Sequence, residues 1–217
     1  EDGNLLGFSD RSGIDLGSES KPNLPASTKY YNDRYGARNW SNAVTLNLAI
    51  GQGENTQSLI NMMRFYAALA GDGSSAPPYL VERQKGGVVR QLGITPAQLI
   101  GLRVALCQVV QSGTAAGSGG RELQVCGKTG TAQSSKKGVN HGWFIGYAPA
   151  GKPQVIIGSI QESLGAHGGA AVAPYVVRAI KRYLTSRDST LLKAGVRVPV
   201  LEDSVTGGVA PPDTVRP

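Results

Sequence analysis

Three strand candidates lie almost back to back in the second half of the chain. They are Leu123 to Gln133, Gly142 to Ala148 and Val155 to Glu162, each bounded by Gly, Pro, Ser or Lys. The links between them are too short for a parallel crossover, which takes about a dozen residues or more. An antiparallel meander is therefore expected. The 30 Gly and 12 Pro among 217 residues fit many tight turns and argue against an all-helical bundle. With 40% apolar residues a real core can form in one domain or a large part of one.

Helical spacing appears on both sides of the meander. Leu59, Ile60, Met62, Met63, Tyr66, Leu69 and Ala70 recur with a helical period, and Gly71 sits where a C-cap belongs. The next helix opens on Thr95 as N-cap, Pro96 at the first helical position and Gln98 completing a capping box. Its buried face is expected to carry Leu99, Leu102, Ala105, Leu106 and Val109, with Gly113 ending it. After a Gly-rich loop, Gly165 to Gly169, a last helix is expected from about Val172 to Leu184, buried through Val172, Val176, Ile180 and Tyr183. Residues 1–45 have little periodicity and predict surface loops, and 185–217 predict a C-terminal tail after a domain spanning 1–184. The class is α+β: an antiparallel β-sheet with helices packed on its faces.

The net charge of +7 permits an anionic partner, but the densest spots are only the pairs Lys136-Lys137 and Lys181-Arg182. Aromatics are 6% and do not interleave with basic residues, which argues against nucleic acid. No apolar run approaches the ~18 residues of a membrane span. Glu1 follows neither an initiator Met nor a signal peptide, so the chain reads as a piece of something longer. His141 and His167 stand far apart with no carboxylate at ligand spacing, so structural or surface roles are expected and no metal or cofactor. Trp143 and Phe144 alternate across a strand, with one of them in the core. Tyr147 and Met62-Met63 are packing residues, and Glu162 is expected at the surface. Cys107 and Cys126 fit either one bridge or two buried thiols.

Gly127-Lys128-Thr129 has the ending of a phosphate loop but not its context. Position 122 is Glu where that loop needs Gly, and Gly130, Ser134, Ser135 and Gly138 follow where it needs a helix. The Gly51 and Gly53 loop likewise has Thr56 where a dinucleotide fingerprint needs its third Gly. Lys128-Thr129-Gly130-Thr131 fits better inside a strand. Gly in a strand marks close approach of a ligand backbone. Thr129 and Thr131 share one face of it, so a cation and two hydroxyls gather as a carboxylate-recognition edge. A solvated edge strand with a protective Lys accounts for the same residues. The tripeptide alone does not separate the two.

The flanking residues do. Val125-Cys126-Gly127-Lys128-Thr129-Gly130-Thr131-Ala132-Gln133 resembles the third active-site motif of the penicillin-binding transpeptidases. In the same order as in that family come Leu6-Gly7-Phe8, Ser12 to Leu16 with Glu19, Ile50-Gly51-Gln52-Gly53, and Ser112-Gly113-Thr114-Ala115. His141 to Pro149 and Ala171-Val172-Ala173-Pro174 follow, so the resemblance covers roughly Leu6 to Leu184. The wording of Trp143 to Pro149 is closest to the elongation type of the class B branch. Glu54 to Ser58 departs from the family, which usually carries Thr-Pro there. The family's S-x-x-K nucleophile motif and its S-x-N motif precede the segment resembling Leu6 to Leu16. Ser18…Lys21 and Ser134…Lys137 have the first spacing but the wrong surroundings.

The resemblance implies the C-terminal portion of a transpeptidase fold. It implies a peptidoglycan D,D-transpeptidase that cross-links stem peptides through a Ser acyl-enzyme and is the target of β-lactam antibiotics. Lys128 would bring positive potential to the substrate's terminal carboxylate, and Thr129 and Thr131 hydroxyls would bind it. The Thr131 N–H would be one oxyanion-hole donor, and Gly130 would leave room for the substrate. Implied partners are peptidoglycan stem peptides, β-lactams, the N-terminal part of the same protein and the cell-elongation machinery. The implied place is the periplasmic face of the inner membrane, with the anchor in the N-terminal part. A serine β-lactamase or D,D-carboxypeptidase shares the fold, and a non-catalytic β-lactam-sensing module is a third reading. An extracytoplasmic location permits a Cys107–Cys126 bridge, but buried free Cys is common, and two buried thiols at a helix–sheet contact are the expectation. The family also pairs the strand Val155 to Glu162 with one from its N-terminal portion, and its nucleophile helix fills the domain centre.

Overall fold

The computed structural model describes residues 2–81, 87–134, 136–164 and 168–187. In chain order the helices are α1 (Asp2–Leu5), α2 (Thr28–Tyr35), α3 (Ala43–Ala49), α4 (Leu59–Ala70), α5 (Pro96–Gln111) and α6 (Gly168–Arg187). The strands are β1 (Ser74–Ser75), β2 (Arg90–Gln91), β3 (Cys126–Gln133), β4 (Asn140–Ala148) and β5 (Val155–Leu164). The predicted meander forms in the order β3-β4-β5, antiparallel throughout. Its first strand begins three residues later than the sequence suggests. Leu123 lies in a turn, closed by the Gln124 N–H on the Arg121 carbonyl.

β4 is the central strand, and both its faces are covered. Phe144 and Ala148 point to one side, where they meet Val125, Val172, Val176 and Ile180 under α6. Ile145 and Tyr147 point to the other, where they meet Tyr66 and Ala70 of α4 and the two cysteines. A run of apolar residues on both faces of one strand is the pattern of a buried strand. The sheet is thus the middle of three layers, with α6 on one face and α4 and α5 on the other. A Cβ on Gly158 would lie 2.8 Å from a Leu59 side-chain carbon and 3.1 Å from Met63, which is how closely α4 seats on β5.

Thr95 caps α5 with the full reciprocal box, as its position predicts, and Ser58 caps α4, which the sequence reading did not single out. The buried face of α5 differs from expectation. Leu99, Cys107 and Val110 are buried, whereas Leu102 is 44% exposed and Ala105 lies at the surface. The cause is Arg103, one turn from Leu99 on the inner face. Its Nε donates to the Leu69 carbonyl at 2.7 Å and its Nη2 to the Ala70 carbonyl at 3.2 Å. These are last-turn carbonyls of α4, which have no partner inside their own helix. α6 begins at Gly168 and runs to Arg187, so the expected loop is helical at Gly168 and Gly169, and Thr185 to Arg187 belong to the helix. Tyr183 is only half-buried, and Leu184 closes the inner face. Residues 188–217 of the expected tail, with His167 and Ser135, lie outside the described residues.

The N-terminal segment is not only loop. It contains α1, α2 and α3, and α2 is tied down by polar contacts rather than by an apolar stripe. Residues 7–13 are fastened to α4 by two buried polar side chains. Arg64 Nη1 donates to the Ser12 carbonyl at 2.7 Å and Nη2 to the Ser75 and Val88 carbonyls. Asn61, fully buried, donates to the Gly7 carbonyl and accepts from Arg90. Burial holds the Arg64 pKa down at about 10, still cationic at neutral pH. Among the described residues no helix is long and apolar enough to cross a membrane.

Candidate active site

β3 has β4 on one side only, so its other edge carries free backbone groups. Backbone groups of successive residues in a strand point to alternate edges. Gln52 Nε2 donates to the Thr131 carbonyl at 2.8 Å, and the Gln133 N–H donates to Gln52 Oε1 at 3.2 Å. The odd-numbered residues therefore turn their N–H and C=O groups outward. The Thr131 N–H belongs to this outward set, which is where an oxyanion donor is needed. Gln52 acts as a one-residue substitute strand at the tip of β3. Gly51 (φ 73°) and Gly53 (φ 68°) make the tight turn that presents it.

The side chains divide between the two faces. Thr129 pairs with Phe144 and Thr131 with Gly142, which places both hydroxyls on the α6 side. Lys128 pairs with Ile145 and Gly130 with Trp143, on the α4 side. The Thr129 and Thr114 hydroxyls are 2.7 Å apart and hydrogen-bonded. The Gly169 N–H, at the start of α6, donates to Thr131 Oγ1 at 3.4 Å. A Cβ on Gly169 would stand 2.8 Å from the Gly130 carbonyl oxygen and 2.9 Å from Thr129 Cβ, so only glycine lets α6 approach β3 here. Lys128 is exposed, and its Nζ donates to the Thr129 carbonyl at 2.9 Å.

On the Lys128 side lies a groove of about 310 Å³, lined by Phe8, Gln52, Met62, Tyr66, Trp143 and Ile145 with Lys128 to Ala132. It is mostly apolar, with one cation at its rim. Burial pushes the Tyr66 phenol up to about 12, so it stays neutral in the groove wall.

The expectation of two free thiols is not met. Cys107 and Cys126 form a disulfide that ties α5 to the first residue of β3. The two lie on facing surfaces of helix and strand, so the buried helix–sheet contact the sequence implies is also within bonding reach. Phe144 is the core residue of its pair and Trp143 lines the groove, while Tyr147 is fully buried. His141 accepts from the Ser163 N–H, and Glu162 is exposed. Among the described residues no three His, Cys, Asp or Glu side chains gather as metal ligands. Ser18 lies in an exposed non-helical stretch, and Ser134 sits in the β3–β4 turn, accepting from the Lys136 N–H. Neither opens a helix. The structural parts of Gln52 and Thr114 were not apparent from residue type. The paired glycines around Gln52 were the available signal.

An edge strand bearing Lys-Thr-Gly-Thr, backed by a central buried strand and covered by helices on both faces, defines a class. The chain belongs to the penicillin-binding protein transpeptidase domain family, whose model matches residues 7–182. It is similar to the peptidoglycan D,D-transpeptidase MrdA of Acinetobacter baumannii, 32% identical over 191 residues, covering 76% of this chain and 28% of that protein. Among solved structures it resembles PBP2 of Helicobacter pylori in its complex with MreC: TM-score 0.72, 26% identity, covering 84% of this chain and 34% of that one. PBP3 of Mycobacterium tuberculosis complexed with aztreonam gives a TM-score of 0.68 at 25% identity, covering 86% and 45%. The chain spans about a third or less of the curated relatives it matches first, 28% and 34% of their lengths.

Proposed function

We propose that this chain supplies the carboxylate-binding and oxyanion-stabilising wall of a peptidoglycan D,D-transpeptidase whose acylating Ser lies upstream of it. The observation that carries the reading is the β3 edge. It combines an outward Thr131 N–H, two Thr hydroxyls on one face and Lys128 on the groove face. The relatives named as D,D-transpeptidases favour it over a β-lactamase or a sensor.

In the proposed reaction the Ser oxygen attacks the carbonyl carbon of a D-Ala-D-Ala peptide bond. Negative charge builds on the carbonyl oxygen, and the Thr131 N–H meets it there. One such donor is typically worth about 10²–10³ in rate. The C–N bond then breaks and D-Ala leaves with a proton. An acceptor amine attacks the ester carbonyl, loses its proton, and returns the oxygen to Ser. Throughout, the Thr129 and Thr131 hydroxyls hold the donor's terminal carboxylate under the field of Lys128. A β-lactam would follow the first step and stall, and the aztreonam complex of a similar structure supports the binding of such a compound by this fold. The complete protein would work on the periplasmic face of the inner membrane, anchored outside this chain. The H. pylori PBP2–MreC complex supports a cell-elongation partner. The apolar groove beside Lys128 would receive the helix that carries the Ser.

Labelling with a fluorescent penicillin tests the reading. The complete protein should be acylated, and Ser18→Ala and Ser134→Ala should leave that labelling unchanged. Lys128→Ala in the complete protein should slow acylation by about 10²-fold or more with an unchanged melting curve. Loss of labelling in the Ser18 or Ser134 variant, or wild-type acylation of the Lys128 variant, would overturn it.

A further inference from the structure

The two threonine hydroxyls of β3 are both held from behind. Behind Thr131 stands the Gly169 N–H, which donates to its Oγ1 at 3.4 Å. An amide N–H can only donate, so the Thr131 oxygen accepts and its own hydrogen stays free for a ligand. Behind Thr129 stands Thr114, with the two hydroxyl oxygens 2.7 Å apart. Atom type does not fix the direction of this second bond, since each hydroxyl can donate or accept.

Thr114 is held in place by the turn that ends α5. The Ser112 and Gly113 N–H groups both donate to the Gln108 carbonyl at 2.9 Å, and the Ala115 N–H donates to the Val109 carbonyl at 3.0 Å. A Cβ on Gly113 would stand 2.9 Å from Val109 Cα, so only glycine folds the chain back this tightly. Ala115, 2% exposed, is plugged into the core shared with α6. Thr114 is thus pinned on both sides while its own side chain stays exposed. The Cys107–Cys126 bridge fastens the same helix to β3, three residues before Thr129.

An anion at the β3 edge settles the direction. A carboxylate only accepts, so Thr129 must give it its single hydroxyl hydrogen. The Thr129 oxygen is then left to accept, and Thr114 is the group in place to donate. We infer that Thr114 is a positioning residue of the transpeptidase site: it donates to Thr129 Oγ1 and so presets the Thr129 hydroxyl as a hydrogen donor to the substrate's terminal carboxylate. Gly169 does the same for Thr131. In such a chain each hydroxyl polarises the next, which strengthens the last bond, the one to the anion. The inference rests on the reading of β3 as a carboxylate-binding edge.

The test uses the complete protein with benzylpenicillin and its methyl ester, which differ in the carboxylate alone. Acylation at sub-saturating concentration is followed by mass spectrometry. The wild type should react with the acid at least about tenfold faster than with the ester. Thr114→Val keeps the shape and removes the hydroxyl, and it should slow the acid about fivefold more than the ester. Thr114→Ser returns the hydroxyl and should restore the acid rate. In a Thr129→Val background Thr114→Val should add nothing, because it acts through Thr129. Equal slowing of acid and ester marks a merely structural part and would overturn the inference. So would a loss that persists in full in the Thr129→Val background. A wild type that takes acid and ester at the same rate sinks the carboxylate-binding reading of β3, and the role of Thr114 with it. A wild-type acid preference that survives Thr114→Val overturns the role of Thr114 alone.

Discussion

Glu54 shows how much one side chain depends on its neighbours. Its carboxyl is held low first by the Tyr35 hydroxyl, against the opposing effect of partial burial. A depressed carboxyl stabilises the fold above its unfolded pKa, and that contribution disappears as the pH falls through the folded value. Tyr35→Phe removes the leading cause. Its expected outcome is a Glu54 titration moved up toward the ordinary carboxylate range, followed by carboxyl-carbon NMR. An unmoved titration would mean that the 2.8 Å hydrogen bond between them is not made in solution. At this scale Lys128 and the two threonines were legible in the sequence, because Gly and Lys together inside a strand are odd without a ligand. Glu54 was not. It stood out only as a departure from the family pattern, and its partners come from α2, about twenty residues earlier.

Among the elements, α4, α5, the three-stranded sheet and α6 were legible because each carries its own period or cap. The short α2 was hidden, since its stability comes from ring stacking and from hydrogen bonds to Glu54 and between Trp40 and Asn32. The α5 face departs from its apolar pattern for an instructive reason. An arginine belongs to the inner face because it satisfies two orphan carbonyls of α4, and an apolar count never selects it. The bridge from α5 to β3 closes a loop with a sequence separation of 19. In the chain-entropy view a loop of this size contributes roughly 3 kcal/mol. Replacing Cys107 and Cys126 together by Ser should lower stability by about that amount in chemical denaturation. Mass spectrometry without reduction should find the wild type two hydrogens lighter than its reduced form. Two free thiols in native, oxidised protein would remove the bridge.

At the scale of the whole molecule, the described residues leave two surfaces uncovered. β5 has no strand on its outer edge, and the apolar groove beside Lys128 is open to solvent. Leu46, Ile50 and Ile100 are each 46% exposed or more. An open edge next to apolar residues is a template for pairing with other chains. Burying a large apolar side chain is worth about 1.5–3 kcal/mol, and net stability is only about 5–15 kcal/mol. Residues 1–217 expressed alone should therefore aggregate or remain molten, and should become soluble when the upstream part of the protein is supplied. A monomeric chain with a cooperative melt would show that these surfaces need no cover. The sequence could signal this only through the resemblance, because an uncovered edge is a property of what is absent from a sheet.

The tie between α5 and β3 also gives the molecule a memory of where it was made. Lys128 follows Cys126 by two residues, so the strand that carries the candidate site is anchored covalently just before it. Protein exported into an oxidising space and protein harvested from a reducing cytosol share every residue and differ by one bond at this position. Both sulfurs are buried, so a thiol reductant in an assay buffer reaches that bond only in molecules that open far enough to expose it. Protein made reduced and protein made oxidised would then keep their difference through a measurement in the same buffer.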